Sequence, residues 1–124
     1  LDRRALDAEA LHVNTSFLTA YANDFSYDQV YARLVQAKGR KGDVLIGIST
    51  SGNSKNIVLA FEEAHRIGMQ TIGMTGAGGG AMAAVSDVLL AMPSNETPRI
   101  QECHLVVGHI LCQLVEAACC GGGA

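Results

Sequence analysis

Three short apolar runs along this chain alternate with segments whose apolar residues recur at helical spacing. The runs predict buried parallel strands, since they are brief, rich in β-branched residues and bounded by polar or glycine turns. They cover residues 44–48, 71–75 and 88–92. Apolar residues three and four positions apart predict helices elsewhere. These cover residues 26–38, 54–67 and 82–85, with a long helix from 97 to about 120. Gly68 is placed to stop one helix and Pro98 to begin another.

The amino-terminal quarter carries weaker patterns. Residues 1–8 are charged and predict a loop, and 10–13 predict a short strand that ends at Asn14. Asn14 or Thr15 could cap a helix that stops at Asn23-Asp24. One domain over residues 1–120 is expected, with 121–124 as a disordered tail.

Alternation of strands and helices predicts an α/β fold: a parallel sheet sandwiched between helices in three layers, with right-handed crossovers. Ligands bind such sheets at the carboxyl ends of the strands. Four polar turns are expected to gather there. They are residues 14–16, 49–54, 75–80 and 94–97.

The turn Ser49-Thr50-Ser51-Gly52-Asn53-Ser54, called the serine turn below, joins a predicted strand to a predicted helix. The first amides of a helix lack internal partners and the helix dipole is positive there, so an anion such as phosphate fits this place. A second interpretation needs no ligand, because Asn53 or Ser54 could simply cap the helix. The pattern leaves both open.

The long last helix carries a second group of polar residues. Gln101 and His109 are eight positions apart, which separates them by about 80° around the helix. His109 is a candidate acid, base or metal ligand, or alternatively a packed histidine. His104 lies on an apolar side, where a packed, hydrogen-bonded histidine is expected.

The remaining histidines and the cysteines offer less. His65, beside Arg66 on a polar face, is expected to be solvated, and His12 is a possible substrate contact at a strand end. Cys103, Cys112, Cys119 and Cys120 have spacings that predict neither a disulfide framework nor a tetrahedral metal site. Free thiols in a reducing cytosol are the better interpretation.

Composition excludes several classes of function. The 124 residues are 48% hydrophobic and carry a net charge of −3, so no basic footprint for nucleic acid is present. The glycine loop 76–80 lacks the spacing of a dinucleotide site, and no signal peptide is visible at residues 1–4. Polar residues interrupt the last helix, which is expected to be buried in a soluble protein and not to span a membrane.

The run from Gly42 through Ser54 resembles the core of the sugar isomerase (SIS) domain family. Other segments resemble its phosphoheptose isomerase branch, which interconverts sedoheptulose 7-phosphate and glycero-manno-heptose 7-phosphate. These segments are Ala22-Asn23-Asp24, Thr71 through Gly76, Pro93-Ser94, and Arg99-Ile100-Gln101-Glu102 followed by His104 and Gly108-His109.

The resemblance implies a set of site residues. Ser49, Thr50, Ser51 and Ser54 would hold the sugar phosphate, with Asn23, Asp24 and Gln101 also contacting substrate. Gln101 and His109 would bind zinc, and His109 would be catalytic. It also implies a cytoplasmic homotetramer with sites between subunits, acting in heptose synthesis for the lipopolysaccharide of the cell envelope.

The chain departs from the family at its beginning. The family starts with about 60 further residues, within a domain of about 100–200. Two more zinc ligands, a histidine and a glutamate that is the usual base, belong to that part. The chain therefore resembles the carboxyl-terminal two-thirds of the enzyme. It is expected to be poorly active alone and to expose apolar surface.

Two other functions remain as alternatives. A non-catalytic SIS relative binds the bacterial replication initiator, but it replaces the histidine of the last helix and has arginine at the second serine of the turn. His109 and Ser51 favour the isomerase. A sugar-phosphate sensing module of a regulator would need a DNA-binding segment, and none is visible.

Overall fold

The computed structural model describes residues 3–121 as a three-stranded parallel sheet with five α-helices. The strands are β1 (Val44–Ile48), β2 (Gln70–Thr75) and β3 (Val88–Ala91). The helices are α1 (Thr15–Asp24), α2 (Val30–Lys38), α3 (Lys55–Ile67), α4 (Met82–Val85) and α5 (Thr97–Cys120). Short 3₁₀ turns cover Leu11–Val13 and Tyr27–Gln29.

The sheet has the order β1-β2-β3, with both pairs parallel. The register places Ile48 beside Met74 and Thr75 beside Ala91, so all three strands end at one edge. The predicted α/β fold is confirmed. Three of the four turns expected there, residues 49–54, 75–80 and 94–97, line the candidate site described below.

One face of the sheet is covered by α3, on which α2 packs. Phe61 is fully buried, and Ala60 and Ala64 of the same helix are nearly so. Gly47 of β1 permits this approach, since a Cβ there would lie 2.5 Å from Cε1 of Phe61. A glycine is therefore needed where the helix crosses the strand. Gly68 ends α3 in the left-handed region, as predicted.

The opposite face is largely open. Val44, Ile46 and Ile48 alternate along β1 with side chains 52%, 47% and 56% exposed. Met74 in the central strand is covered, and α5 packs against that strand. The expectation that the chain exposes apolar surface is confirmed.

The expected burial of α5 is wrong for the described chain. Of its 24 residues only Ile100 and His104 are buried, whereas Leu105, Val106 and Leu114 are more than half exposed. Apolar residues predict that a helix has a face to cover, but they do not say what covers it. By length and composition α5 could also cross a membrane, which is weak evidence because core helices meet the same test.

Two amino-terminal predictions are corrected. The predicted strand at 10–13 is a 3₁₀ turn, and its Leu11 packs near Val35 and Met69 beside the amino ends of the strands. His12 is exposed there, away from the carboxyl edge where a substrate contact was expected.

Asn14 caps α1 as predicted, by accepting from the Phe17 amide at 3.1 Å. The predicted helix 26–38 begins with a 3₁₀ turn capped by Ser26. Residues 1–2 and 122–124, including most of the predicted disordered tail, lie outside the described residues.

His65 is not merely solvated, contrary to expectation. Its Nε2 lies 3.0 Å from Oγ1 of Thr71 and 3.1 Å from Oδ2 of Asp87. The Thr71 amide donates to the same carboxylate at 2.8 Å, and the Asp87 amide donates to Oγ1 of Thr71 at 3.0 Å. This cluster joins the end of α3 to the starts of β2 and β3. The Thr71 amide, with help from His65, lowers the pKa of Asp87.

Asp87→Asn is expected to destabilise the protein more at pH 7 than at pH 3. A lowered pKa means that the folded state favours the carboxylate, whose contribution is present above about pH 4 and lost as the pH falls through the folded pKa. Thermal midpoints of wild type and variant at both pH values measure this. Asp7→Asn, at an exposed aspartate, is the control and should shift neither midpoint. A gap that is as wide at pH 3 as at pH 7 would contradict the role given to the charge.

Candidate functional site

The hydroxyl groups of the serine turn converge just beyond β1. Ser49 Oγ lies 2.8 Å from Ser54 Oγ and 3.5 Å from Ser51 Oγ. Ser49 is buried, whereas Ser51 is exposed. The Asn53 amide donates to Ser51 Oγ at 3.1 Å, which leaves the Ser51 hydroxyl hydrogen available to a ligand.

The start of α3 has no side-chain cap. Ser54 stands at the N-cap position, but its side chain accepts no hydrogen bond from the helix. Asn53 is also occupied elsewhere, since its Oδ1 accepts from the Ala81 amide at 2.8 Å. Of the two interpretations that the sequence left open, the capped helix is therefore not observed. The Ile57 amide donates to the Asn56 side chain at 2.9 Å, so the amides of Lys55 and Asn56 are the ones that remain able to bind an anion.

The serine turn is tied to the loop after β2. The Gly76 amide donates to the Thr50 carbonyl at 3.0 Å, and the Met82 amide donates to the Gly52 carbonyl at 2.9 Å. Gly52 has a φ of +68° and lies against the Gly79 carbonyl. These contacts hold the turn in one conformation without a ligand.

A cavity of about 250 Å³ opens beside the turn. It lies between the serine turn, the loop after β2 and the beginning of α5. The lining residues are Thr50, Ser51, Gly76, Ala77, Gly78, Asn95, Thr97 and Ile100. None of these is charged, so a bound anion would be held by hydroxyls, backbone amides and the dipole of α3. Lys55, at the start of α3, pairs with Asp28 at 2.9 Å.

Asn95 and Thr97 were not chosen from the sequence as site residues, although their turn was placed at the ligand edge. Their signal was the polar stretch between β3 and a helix beginning with Pro98. A single polar turn cannot indicate which of its side chains faces a cavity. That depends on how α5 meets the sheet.

Gln101 and His109 are not brought to this cavity within one chain. Both are exposed, and His109 lies twelve residues beyond Thr97, about 18 Å along the helix axis. Among the described contacts neither side chain has a hydrogen-bond partner in the serine turn. They lie on the same side of α5 as the exposed Leu105, and their predicted roles stay predictions.

Asn23 and Asp24 end α1 and are exposed. The Asn23 amide group donates to the Asp24 carboxylate at 2.9 Å, so the predicted pair does form one polar unit. Its role toward substrate stays a prediction, because no described contact connects it to the serine turn.

The described residues do not offer a complete zinc site. Among residues 3–121 no three histidine, cysteine, aspartate or glutamate side chains cluster as metal ligands. Gln101 and His109 would supply two donors, and a tetrahedral zinc site needs more. All four cysteines are free, as expected.

Gly52→Ala is expected to disrupt the site and lower the thermal midpoint. A Cβ at Gly52 would lie 2.1 Å from the Gly79 carbonyl oxygen, so the two loops must separate. Gly42→Ala is the matched control, because Gly42 also has positive φ (+91°) with nothing within 4 Å. The control should lose about 1–2 kcal/mol from backbone strain alone, and Gly52→Ala at least about twice that. Equal losses in thermal denaturation would show that the loops tolerate the contact.

Known proteins that are similar to this chain agree with this architecture. A family model described as the SIS domain matches residues 1–76. Phosphoheptose isomerase of Clostridium acetobutylicum is 56% identical over 94% of the chain, and that of Akkermansia muciniphila 52% over 98%. The solved phosphoheptose isomerase of Neisseria gonorrhoeae superposes with a TM-score of 0.84 and 47% identity, covering 86% of this chain and 61% of that one.

The chain spans 59% and 65% of the lengths of these two curated relatives. The matched SIS segment contains β1, the whole serine turn and β2, which are the elements that build the mouth of the cavity. The chain therefore belongs to the SIS domain family.

Proposed function

We propose that this chain forms part of an aldose–ketose isomerase that converts sedoheptulose 7-phosphate to D-glycero-D-manno-heptose 7-phosphate. The observation that carries the proposal is the serine turn, where three hydroxyls meet at an uncapped helix start beside an uncharged cavity. Relatives that are more than half identical over nearly the whole chain carry the name phosphoheptose isomerase. Hydroxyls and amides suit a phosphate ester, whose charge the helix dipole also favours.

Binding of the phosphate group would hold one end of the substrate at the serine turn. Ser51 donates from the exposed rim, while Ser49 and Ser54 form the floor. This remote binding energy can orient the reacting end, which is what an isomerisation at C1 and C2 requires. The carbonyl end of the sugar then projects away from the turn.

The proton transfer is assigned to His109. An aldose–ketose isomerisation moves a proton between C1 and C2, and an imidazole that titrates near neutrality can donate or accept it. His109 and Gln101 are both exposed on α5: His109 lies about 18 Å along the helix from Thr97, and Gln101, although it follows Ile100, is not among the residues that line the cavity of its own chain. We therefore assign their partners to a neighbouring subunit.

A homotetramer with sites between subunits is proposed on the same grounds. The exposed residues Val106, Ile110 and Leu114 recur at four-residue spacing along α5. An apolar stripe of this kind is buried when helices of several copies pack together. Such packing would also bring α5 of one copy toward another's cavity.

Zinc remains part of the proposal only as a group that Gln101 and His109 would help to hold. The other ligands would come from outside residues 3–121, since no cluster of three acidic, histidine or cysteine side chains exists there. Neither the phosphate binding nor the proton transfer proposed for these residues depends on the metal. A cytoplasmic location and a place in envelope heptose synthesis are likewise proposed from the family relationship.

The complete protein that carries this chain is expected to convert sedoheptulose 7-phosphate to heptose 7-phosphate. The measurement is NMR of the sugar C1 and C2 signals over time, with added zinc. Unphosphorylated sedoheptulose is the matched control and should react far more slowly, because it cannot engage the serine turn. Absence of turnover of the phosphate would sink the isomerase and leave the initiator-binding relative as the better candidate.

Ser51→Ala and His109→Ala are expected to separate binding from chemistry. Loss of one hydrogen bond to a charged phosphate, about 1.5–3 kcal/mol, should raise KM about 10- to 100-fold with little change in kcat. His109→Ala should instead lower kcat by about 100-fold or more. Ser16→Ala, at an exposed helix position, is the control. An unchanged KM in the first variant, or full kcat in the second, would remove that residue from its role.

A further inference from the structure

Helix α5 meets the body of the protein through very few side chains. Ile100 and His104 are its only buried residues, one turn apart near its beginning. Of the side-chain hydrogen bonds in residues 3–121, the single one between α5 and the sheet comes from His104. The other described side-chain hydrogen bonds between α5 and the rest of the chain lie near its far end, where Arg3 pairs with Glu116 and Arg4 donates to the Cys119 carbonyl. Both arginines belong to the exposed segment that precedes the first 3₁₀ turn and not to the sheet.

The acceptor of this hydrogen bond lies at a structural junction. His104 Nε2 is 3.1 Å from the Thr75 carbonyl oxygen, at the end of β2. A carbonyl oxygen only accepts, so Nε2 must carry the hydrogen. The same oxygen accepts from the Met92 amide at 2.9 Å. Thr75 is fully buried and precedes Gly76, which lines the cavity.

The second ring nitrogen of His104 makes burial of this side chain unfavourable. His104 is 6% exposed, and its Nδ1 is buried without a hydrogen-bond partner among the described residues. A buried polar atom that lacks a hydrogen-bond partner destabilises the folded state. An apolar side chain of similar size would pack at this position without that cost. Packing alone therefore does not account for an imidazole here, whereas a directional hydrogen bond to Thr75 does.

The position of His104 on the helix connects it to the proposed chemistry. Gln101 lies three residues before it and His109 five residues after it. Since each residue advances about 100° around the axis, fixing the direction of His104 fixes the directions of both others. A slip of α5 by about 1 Å is enough to cost about 100-fold in rate when it misplaces a reacting group.

We propose that His104 is a positioning residue of the isomerase. Its hydrogen bond to the Thr75 carbonyl fixes the rotation of α5 and thereby aims Gln101 and His109. It touches neither substrate nor metal in this role. The inference deepens the proposed function and rests on it.

The test compares His104→Leu with His104→Gln in the complete protein. Leucine fills the space without a donor, whereas the terminal amide of glutamine can reach toward Thr75 and donate. His104→Leu should lower kcat about 10- to 100-fold with KM for the sugar phosphate changed less than about twofold, and His104→Gln should recover most of kcat. Thermal midpoints should run the other way, with leucine the more stable variant, because glutamine buries an amide.

The opposite orders expected for kcat and for the thermal midpoint distinguish a positioning role of His104 from a role in packing alone. If kcat follows the thermal midpoint, so that leucine is at least as active as glutamine, the proposal is overturned. An unaltered kcat in His104→Leu overturns it as well. If wild type shows no turnover, the proposed function fails, and hydrogen exchange of the amides of residues 101–109 decides the positioning. Faster exchange in the leucine variant than in the glutamine variant supports it, and equal exchange refutes it.

Discussion

The first two amides of α3, those of Lys55 and Asn56, have no acceptor among the described contacts, and this constraint shapes the mouth of the cavity. A helix start exposes donors that must find acceptors, and here neither Ser54 nor Asn53 supplies one. Asn53 instead holds the loop after β2, and Gly52 presses against that loop with a φ of +68°. The residues that would usually cap the helix therefore shape the mouth of the cavity instead. What remains is a pair of donors whose best partner is an anion, and this is the physical basis for proposing a phosphate ester at this site.

The exposed apolar surfaces are the ones that the proposed assembly of several copies would cover. One face of β1 and most of α5 present aliphatic side chains that a lone chain leaves exposed. The groups proposed for chemistry, Gln101 and His109, lie on the same uncovered helix. In the proposed function, phosphate binding would be local to one chain, because it would need only the serine turn and the loop after β2. The proposed proton transfer would depend on what packs against α5.

Local sequence patterns predicted a helix or strand well where one strong signal marked its ends. Strand 44–48 and the short helix 82–85 were predicted to the residue, because glycine or polar turns bound short apolar runs. The four apolar-looking residues at 10–13 were too few to separate a strand from a 3₁₀ turn. The burial of α5 and the contacts of His65 could not be predicted, since both depend on partners distant in sequence. Asp87 lies 22 residues from His65, and no periodicity connects them.

Thr75 and Gly76 show how the two halves of the proposed chemistry are coupled. The Gly76 amide holds the serine turn through Thr50, while the Thr75 carbonyl holds β3 and α5 through Met92 and His104. A single peptide group, the one that joins Thr75 to Gly76 at the end of the central strand, therefore contacts the serine turn through its amide and both Met92 and the helix that carries the imidazole through its carbonyl. Because β2 pairs with β1 on one side and β3 on the other, the position of this peptide group is held by both neighbouring strands. An isomerase that grips one end of a sugar and reacts at the other needs a fixed distance between the two places, and the end of β2 is where this fold sets it.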